Sequence, residues 1–138
     1  MRDRIFLDTN IILYAKLESD IEKDKTDHII KILRYSEEQF VISTQVLIEI
    51  TNQLFKNKVQ DTIIRNIAEA IEEEFELHPV NTSTIKKAID IKSKYKFSFW
   101  DSLIVASALE NKCGILYTED LQHGQVIETN LKVVNPFK

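Results

Sequence analysis

Apolar residues in this chain follow two rhythms. Short clustered runs at Ile5-Phe6-Leu7, Phe40-Val41-Ile42 and Ile115-Leu116-Tyr117 have the length and composition of buried strands. Leu77-His78-Pro79-Val80 and Leu131-Lys132-Val133-Val134 read as two further short strands. Elsewhere the spacing turns helical. Ile29, Ile30 and Leu33 share one face, as do Val46, Leu47, Ile50 and Leu54 over about 45–57. Ile63, Ile64, Ile67, Ala68, Ile71 and Phe75 repeat the pattern over 61–76, and Ile85, Ala88 and Ile89 begin another helix. The most apolar helix opens at Phe97-Ser98-Phe99-Trp100-Asp101 and runs through Leu109, with Gly114 after its end. Capping residues punctuate the pattern at Ser43-Thr44 and Asn81-Thr82-Ser83, and Ser19-Asp20 to Asp27 reads as a polar turn entering a helix. Strands separated by helices predict an α/β fold with a mainly parallel sheet of about five strands and helices on both faces.

The polar residues at the strand ends carry the chemistry. Ile5-Phe6-Leu7 runs directly into Asp8-Thr9-Asn10, and the apolar run Ile11-Ile12-Leu13-Tyr14 follows at once. Short polar side chains are thereby aimed from the sheet's carboxyl edge, where open α/β sheets bind ligands. Asp8 reads equally as the cap of the following helix. Asp120 also follows a short strand and emerges at the same edge in a parallel sheet. Glu49 lies in the first two turns of a helix that starts at that edge. Asp101 joins them if the helix near 84–95 lies across the fold.

Each acid has an ordinary explanation beside the functional one. Gln45, Glu49, Asn52, Gln53 and Lys56 form a polar stripe of the kind that faces water. Ser98-x-x-Asp101 resembles a capping box, although Asp101 also aligns with the apolar row Ile104, Val105 and Ala108. Asp120 is paired with Glu119 in a turn, and the sequence barely separates the two.

Charge sharpens the choice. Two carboxylates about 5 Å apart at an effective dielectric of about 20 repel by roughly 3 kcal/mol, and four would consume much of a domain's stability. No cluster of Arg or Lys adjoins these positions in the sequence. A hard divalent cation is the simplest compensator, and an all-oxygen set favours Mg2+ or Mn2+ over Zn2+. Such ions serve phosphoryl-transfer chemistry.

Composition bounds the rest. The 138 residues, 43% hydrophobic and 29% charged, predict a single domain over 1–138 that buries roughly 68% of its unfolded surface. A net charge of −4 argues against nucleic-acid binding by bulk attraction alone, but does not exclude a cation-mediated site. Two glycines permit neither a G-x-G-x-x-G nor a P-loop. One cysteine excludes an internal disulfide and a cysteine-based zinc site. No apolar run approaches the ~20 residues of a membrane span, and the acids Asp3 and Asp8 leave no signal-peptide core. A cytoplasmic location is expected.

Taken together, Phe6-Leu7-Asp8-Thr9-Asn10, Glu49 within Val46-Leu47-Ile48-Glu49-Ile50, Phe99-Trp100-Asp101-Ser102 and Tyr117-Thr118-Glu119-Asp120 resemble the ordered motifs of the PIN-domain ribonucleases. The likeness is greatest to the VapC-type toxins of bacterial and archaeal toxin–antitoxin pairs. It runs the length of the chain. It implies a three-layer α/β/α sandwich, a Mg2+- or Mn2+-dependent endoribonuclease acting on RNA, and a cognate antitoxin that blocks the site. It also implies a homodimer. By the same resemblance Asp8, Glu49, Asp101 and Asp120 are the catalytic, metal-holding acids, with Thr9, Asn10 and Thr118 supporting them.

The chain departs from many relatives after Asp120, where Leu121-Gln122-His123-Gly124 replaces a further acid or an aromatic. His123 reads as a phosphate contact or as a surface-loop residue. Lys86, Lys87, Lys92, Lys94 and Lys96, leading to Tyr95, Phe97, Phe99 and Trp100, read as an RNA-binding strip or as a solvated helix face before core aromatics. Three other functions are compatible with parts of the pattern: a stand-alone RNA-processing nuclease, a non-catalytic nucleic-acid-binding module, and an aspartate-nucleophile phosphatase. The last usually needs a second acid two residues after the first, where Asn10 stands.

Overall fold

The computed structural model describes residues 3–17 and 21–138; Ser19 and Asp20, where a turn is expected, lie outside the described residues. The chain runs β1 (Arg4–Leu7), α1 (Thr9–Leu17), α2 (Lys23–Tyr35), β2 (Gln39–Ser43), α3 (Thr44–Lys56), α4 (Asp61–Glu74) and β3 (Glu76–His78). It continues through α5 (Thr82–Tyr95), α6 (Phe99–Glu110), β4 (Ile115–Tyr117), β5 (Val126–Ile127) and β6 (Leu131–Val134). The strands form one sheet in the order β3-β2-β1-β4-β6-β5, flanked by helices in an α/β/α arrangement.

The sheet has six strands rather than about five. The additional one, β5, is two residues long and pairs antiparallel with β6 through Val126↔Lys132 and Ile127↔Leu131. It is part of a tight hairpin: Glu128 and Thr129 take φ of 52° and 62°, and Gly124 precedes it at φ 87°. A two-residue strand carries no alternation, and non-glycine residues in the left-handed region are uncommon, so the pattern of apolar positions gave no sign of it. All other pairings are parallel.

β1 lies inside the sheet, and past Arg4 it has no polar side chain to expose. Ile5, Phe6 and Leu7 are all buried, as expected of a strand covered on both faces. The helices begin where their caps are. Ser43 accepts from the Val46 N–H at 3.5 Å, starting α3 directly after β2 and burying Val46, Ile50 and Leu54. Thr84 Oγ1 accepts from the Asn81 N–H at 3.1 Å to start α5. Ser98 Oγ accepts from the Asp101 N–H at 3.1 Å to start α6. Between α5 and α6 the chain reverses at Lys96, whose φ is 66°. The two helices pack against each other through a small cluster of Ala88, Leu103 and Ala106, with Val80 and Phe99 against it.

β1 is also the topological switch point, with β2 on one side and β4 on the other. Phe6 pairs with Val41 and Leu7 with Tyr117. The chain therefore leaves β1 and β4 at adjacent points of one edge. The opposite, amino edge is held by a clamp across the sheet. Arg4 Nη1 and Nη2 donate to Glu76 Oε1 and Oε2 at 3.0 and 2.5 Å, and Arg4 Nε donates to the Asn111 carbonyl at 2.9 Å. His78 Nε2 also lies 2.5 Å from Glu76 Oε2.

The Arg4 guanidinium is the main reason the Glu76 carboxyl is held down at about 2. A carboxyl lowered in the native state stabilises it above the ordinary glutamate range near ~4.3. That contribution fades as pH falls toward about 2. Both side chains are about one-third exposed, so the clamp contributes about 1 kcal/mol. Arg4→Met is expected to lower stability by about that amount at pH 7 and by little near pH 2.5, as measured by urea unfolding across the pH range.

Candidate active site

At the carboxyl edge of the β1/β4 junction is a cavity of about 280 Å³. All four acids singled out by the sequence line it: Asp8 just past β1, Glu49 on α3, Asp101 in the first turn of α6 and Asp120 just past β4. Thr9 and Asn10 line it as well, and among the described residues no Lys or Arg does. The α5–α6 reversal is what brings Asp101 there, by starting α6 beside the sheet edge.

Asp8 is the buried member, with 7% of its surface exposed. Its Oδ1 accepts from the Thr9 N–H at 2.7 Å. Its Oδ2 accepts from the Thr118 hydroxyl at 2.7 Å. Its own N–H continues the β1–β4 ladder by donating to the Tyr117 carbonyl at 3.1 Å. Asp8 does sit at the entry of α1, so the capping alternative is partly realised. Burial pushes its carboxyl up to about 7 despite the two donors, and repulsion from Asp120 and Asp101 adds to the rise. Asp101 is also raised, first by burial and then by Asp120.

Thr118 links the two strand ends. Fully buried, it donates to Asp8 and accepts from the Asp120 N–H at 3.0 Å. One hydroxyl thereby orients the buried carboxylate and fixes the turn that presents the exposed Asp120. Thr9 serves the other side, its hydroxyl donating to Glu49 Oε1 at 2.7 Å. Among the described residues no three His, Cys, Asp or Glu side chains stand close enough together to hold a metal ion as they are now placed. The chemistry of the set nevertheless fits a hard cation. The donors are all oxygen, three aspartates are in electrostatic contact, and among the described residues no basic side chain lines the cavity with them.

The structure separates Glu119 from Asp120. Glu119 Oε1 accepts from the Tyr14 hydroxyl and Oε2 from Lys25 Nζ, at 2.5 and 2.6 Å, in a cluster away from the cavity. The polar stripe of α3 is not wholly solvated, because Gln45, Glu49, Asn52 and Gln53 line the cavity. Gln45 is buried and donates Nε2 to the Trp100 carbonyl at 3.1 Å, while its Oε1 has no partner. In the sequence Gln45 belongs to a stripe for which a solvent-facing reading stands beside the functional one. Its position two residues after the Ser43 cap was the available signal.

His123 is exposed and outside the cavity lining, with Nδ1 accepting from the Asn135 N–H at 3.0 Å. The lysine strip is also spent elsewhere in part: Lys94 pairs with Glu128 and Lys92 donates to the Phe97 carbonyl. Tyr95 and Phe97 pack against the core, whereas Trp100 is 63% exposed at the cavity rim.

The PIN domain family model matches residues 5–127. No curated protein matches the sequence. Among solved structures, a toxin–antitoxin complex from Klebsiella pneumoniae superposes with a TM-score of 0.70 at 19% identity, covering 96% of this chain and 97% of that one. VapC20 of Mycobacterium tuberculosis, a sarcin–ricin loop cleaving toxin, gives 0.69 at 17% identity over 84% of this chain and 89% of that one. VapBC2 from Rickettsia felis, bound to a promoter DNA fragment, gives 0.67 at 18% identity over 94% and 96%. At these identities the likeness is one of fold.

The electrostatics make a prediction for the metal-free protein. A carboxyl raised in the native state favours folding while protonated, so stability should fall as pH rises from the ordinary aspartate range through about 7. Asp8→Asn is expected to remove most of that slope and to stabilise the metal-free protein at pH 8 by a few kcal/mol. Thermal unfolding in EDTA across the pH range measures both, and an unchanged slope in the variant would rule out Asp8 as its source.

Proposed function

Because the chain belongs to the PIN-domain family, matched over residues 5–127, we propose that it is a Mg2+- or Mn2+-dependent endoribonuclease, the toxin of a VapBC-type pair. The observation that carries this reading is the convergence of Asp8, Glu49, Asp101 and Asp120 on one cavity that no basic side chain among the described residues lines. A module that only bound nucleic acid would gain nothing from repulsive charge concentrated where a phosphate must approach. The fold-level likeness to toxins solved with their antitoxins supports a cognate antitoxin as partner. We propose further that the chain acts as one domain over 1–138, in the cytoplasm and as a homodimer. Among the described residues no helix is long and apolar enough to cross a membrane.

The roles follow from the positions. Asp8, Asp101 and Asp120 would hold the cation, with Glu49 completing the set. When bound, Mg2+ or Mn2+ would supply Lewis-acid stabilisation of phosphoryl charge and a more acidic water. Thr9 N–H and the Thr118 hydroxyl fix the orientation of the Asp8 carboxylate in advance. The Thr9 hydroxyl holds Glu49 Oε1, leaving its other oxygen for the cation. Asn10, at the cavity wall, has an amide suited to a phosphate oxygen. Hydrolysis by in-line attack would leave a 5′-phosphate and a 3′-hydroxyl.

Cleavage of RNA by the metal-stripped chain is expected to require added Mg2+ or Mn2+. Asp8→Asn and Asp101→Asn are each expected to slow it by at least ~100-fold, and a folded variant cutting at the wild-type rate rejects the assignment. Either ion should also raise the melting temperature of wild type through preferential binding to the native state. The rise should be much smaller in Asp8→Asn, and equal shifts would place the ion elsewhere.

A further inference from the structure

Among the described residues Trp100 is the one large aromatic at the rim of the acidic cavity, and it also forms a wall of a second, apolar groove of about 460 Å³. The groove is built from Ile48, Val80, Trp100 and Leu103, and it shares Gln45, Glu49 and Trp100 with the cavity. We infer that the Trp100 ring, with the apolar groove beside it, is the platform on which a nucleobase next to the scissile phosphate stacks. The inference rests on the nuclease reading and adds to it a residue that positions single-stranded RNA.

Three observations support it. First, the two spaces are neighbours that share Gln45, Glu49 and Trp100 in their walls, so a chain with one phosphate at the acids has Trp100 within reach. Second, the ring is presented on a fixed mount. Ser98 caps the turn that carries it, Gln45 Nε2 holds its carbonyl, and Phe99 braces it edge-on at 5.7 Å and 67°. A large aromatic at 63% exposure on so constrained a turn is organised to receive a flat partner. Third, a chain of net charge −4 whose cavity is lined by acids cannot hold RNA by phosphate attraction alone. Stacking supplies affinity that does not depend on charge and tolerates any base.

The chain has a single tryptophan, so its fluorescence reports on this ring. In EDTA, a mixed-sequence single-stranded RNA 12-mer is expected to quench that fluorescence as it binds. Binding without quenching overturns the inference. With Mg2+ or Mn2+ present, Trp100→Ala should raise KM for a mixed-sequence RNA 20-mer about tenfold while changing kcat much less. Trp100→Phe should restore most of the loss. An abasic site next to the cut should weaken cleavage by wild type and have little further effect on Trp100→Ala. An unchanged KM in a folded Ala variant overturns the platform. So does loss of a dimer on sedimentation with unchanged KM per subunit, which would assign the groove to a second copy. Failure of the nuclease reading is distinguishable, because wild type would then not cleave with either ion while the EDTA titration still tests stacking.

Discussion

One carboxylate removed from water at the end of the central strand governs the whole site. Asp8 is where it is because the apolar run Ile5-Phe6-Leu7 of β1 is buried, and the chain leaves that run through the first polar residue after it. Burial favours the neutral form and would shut the group off from cation chemistry if nothing opposed it. Two short donors, the Thr9 N–H and the Thr118 hydroxyl, oppose it only in part. The group is left between states, stable as a neutral acid alone and disposed to ionise beside a cation.

That balance is possible only because β1 and β4 are neighbours. Thr118 serves Asp8 from the next strand and fixes Asp120 with the same oxygen. The β1–β4 pairing that builds the sheet therefore also sets the spacing of two acids. The Arg4–Glu76 clamp secures the opposite edge, away from the cavity, so that part of the sheet's cross-strand tethering makes no demand on the site. The α5–α6 reversal makes the last contribution by delivering Asp101 and Trp100 on one rigid turn.

Much of this was legible along the chain. The runs of apolar residues located the five longer strands and the helices after them, because a strand buried on both faces and a half-buried helix have different apolar periods. Asp8 and Asp120 could be placed on one edge because parallel strands leave the sheet at the same side. Glu49 followed from the Ser43 cap. The hairpin that adds β5 was hidden, since its turn rests on left-handed Glu128 and Thr129, residues with no compositional signal for it. Gln45 looked like part of a solvated stripe because periodicity reports which face is polar, and a cavity wall and a water-facing surface are both polar.

The sequence by itself determined the alternation of elements, the parallel sheet and the candidate acids, since those depend on local periodicity and on which residues follow each strand. Only the tertiary structure decided that all four acids share one cavity, that Asp120 faces it while Glu119 turns to Tyr14 and Lys25, and that Asp101 is part of the set. The physical reason is that these outcomes depend on contacts between residues distant in the chain: a hydroxyl from β4 reaching Asp8, a lysine from α2 capturing Glu119, and a helix pair folding back across the sheet. Asp8 reads in the sequence as a helix cap or as a ligand, and the structure surrounds it with neighbours more than a hundred residues away, Thr118 and Asp120.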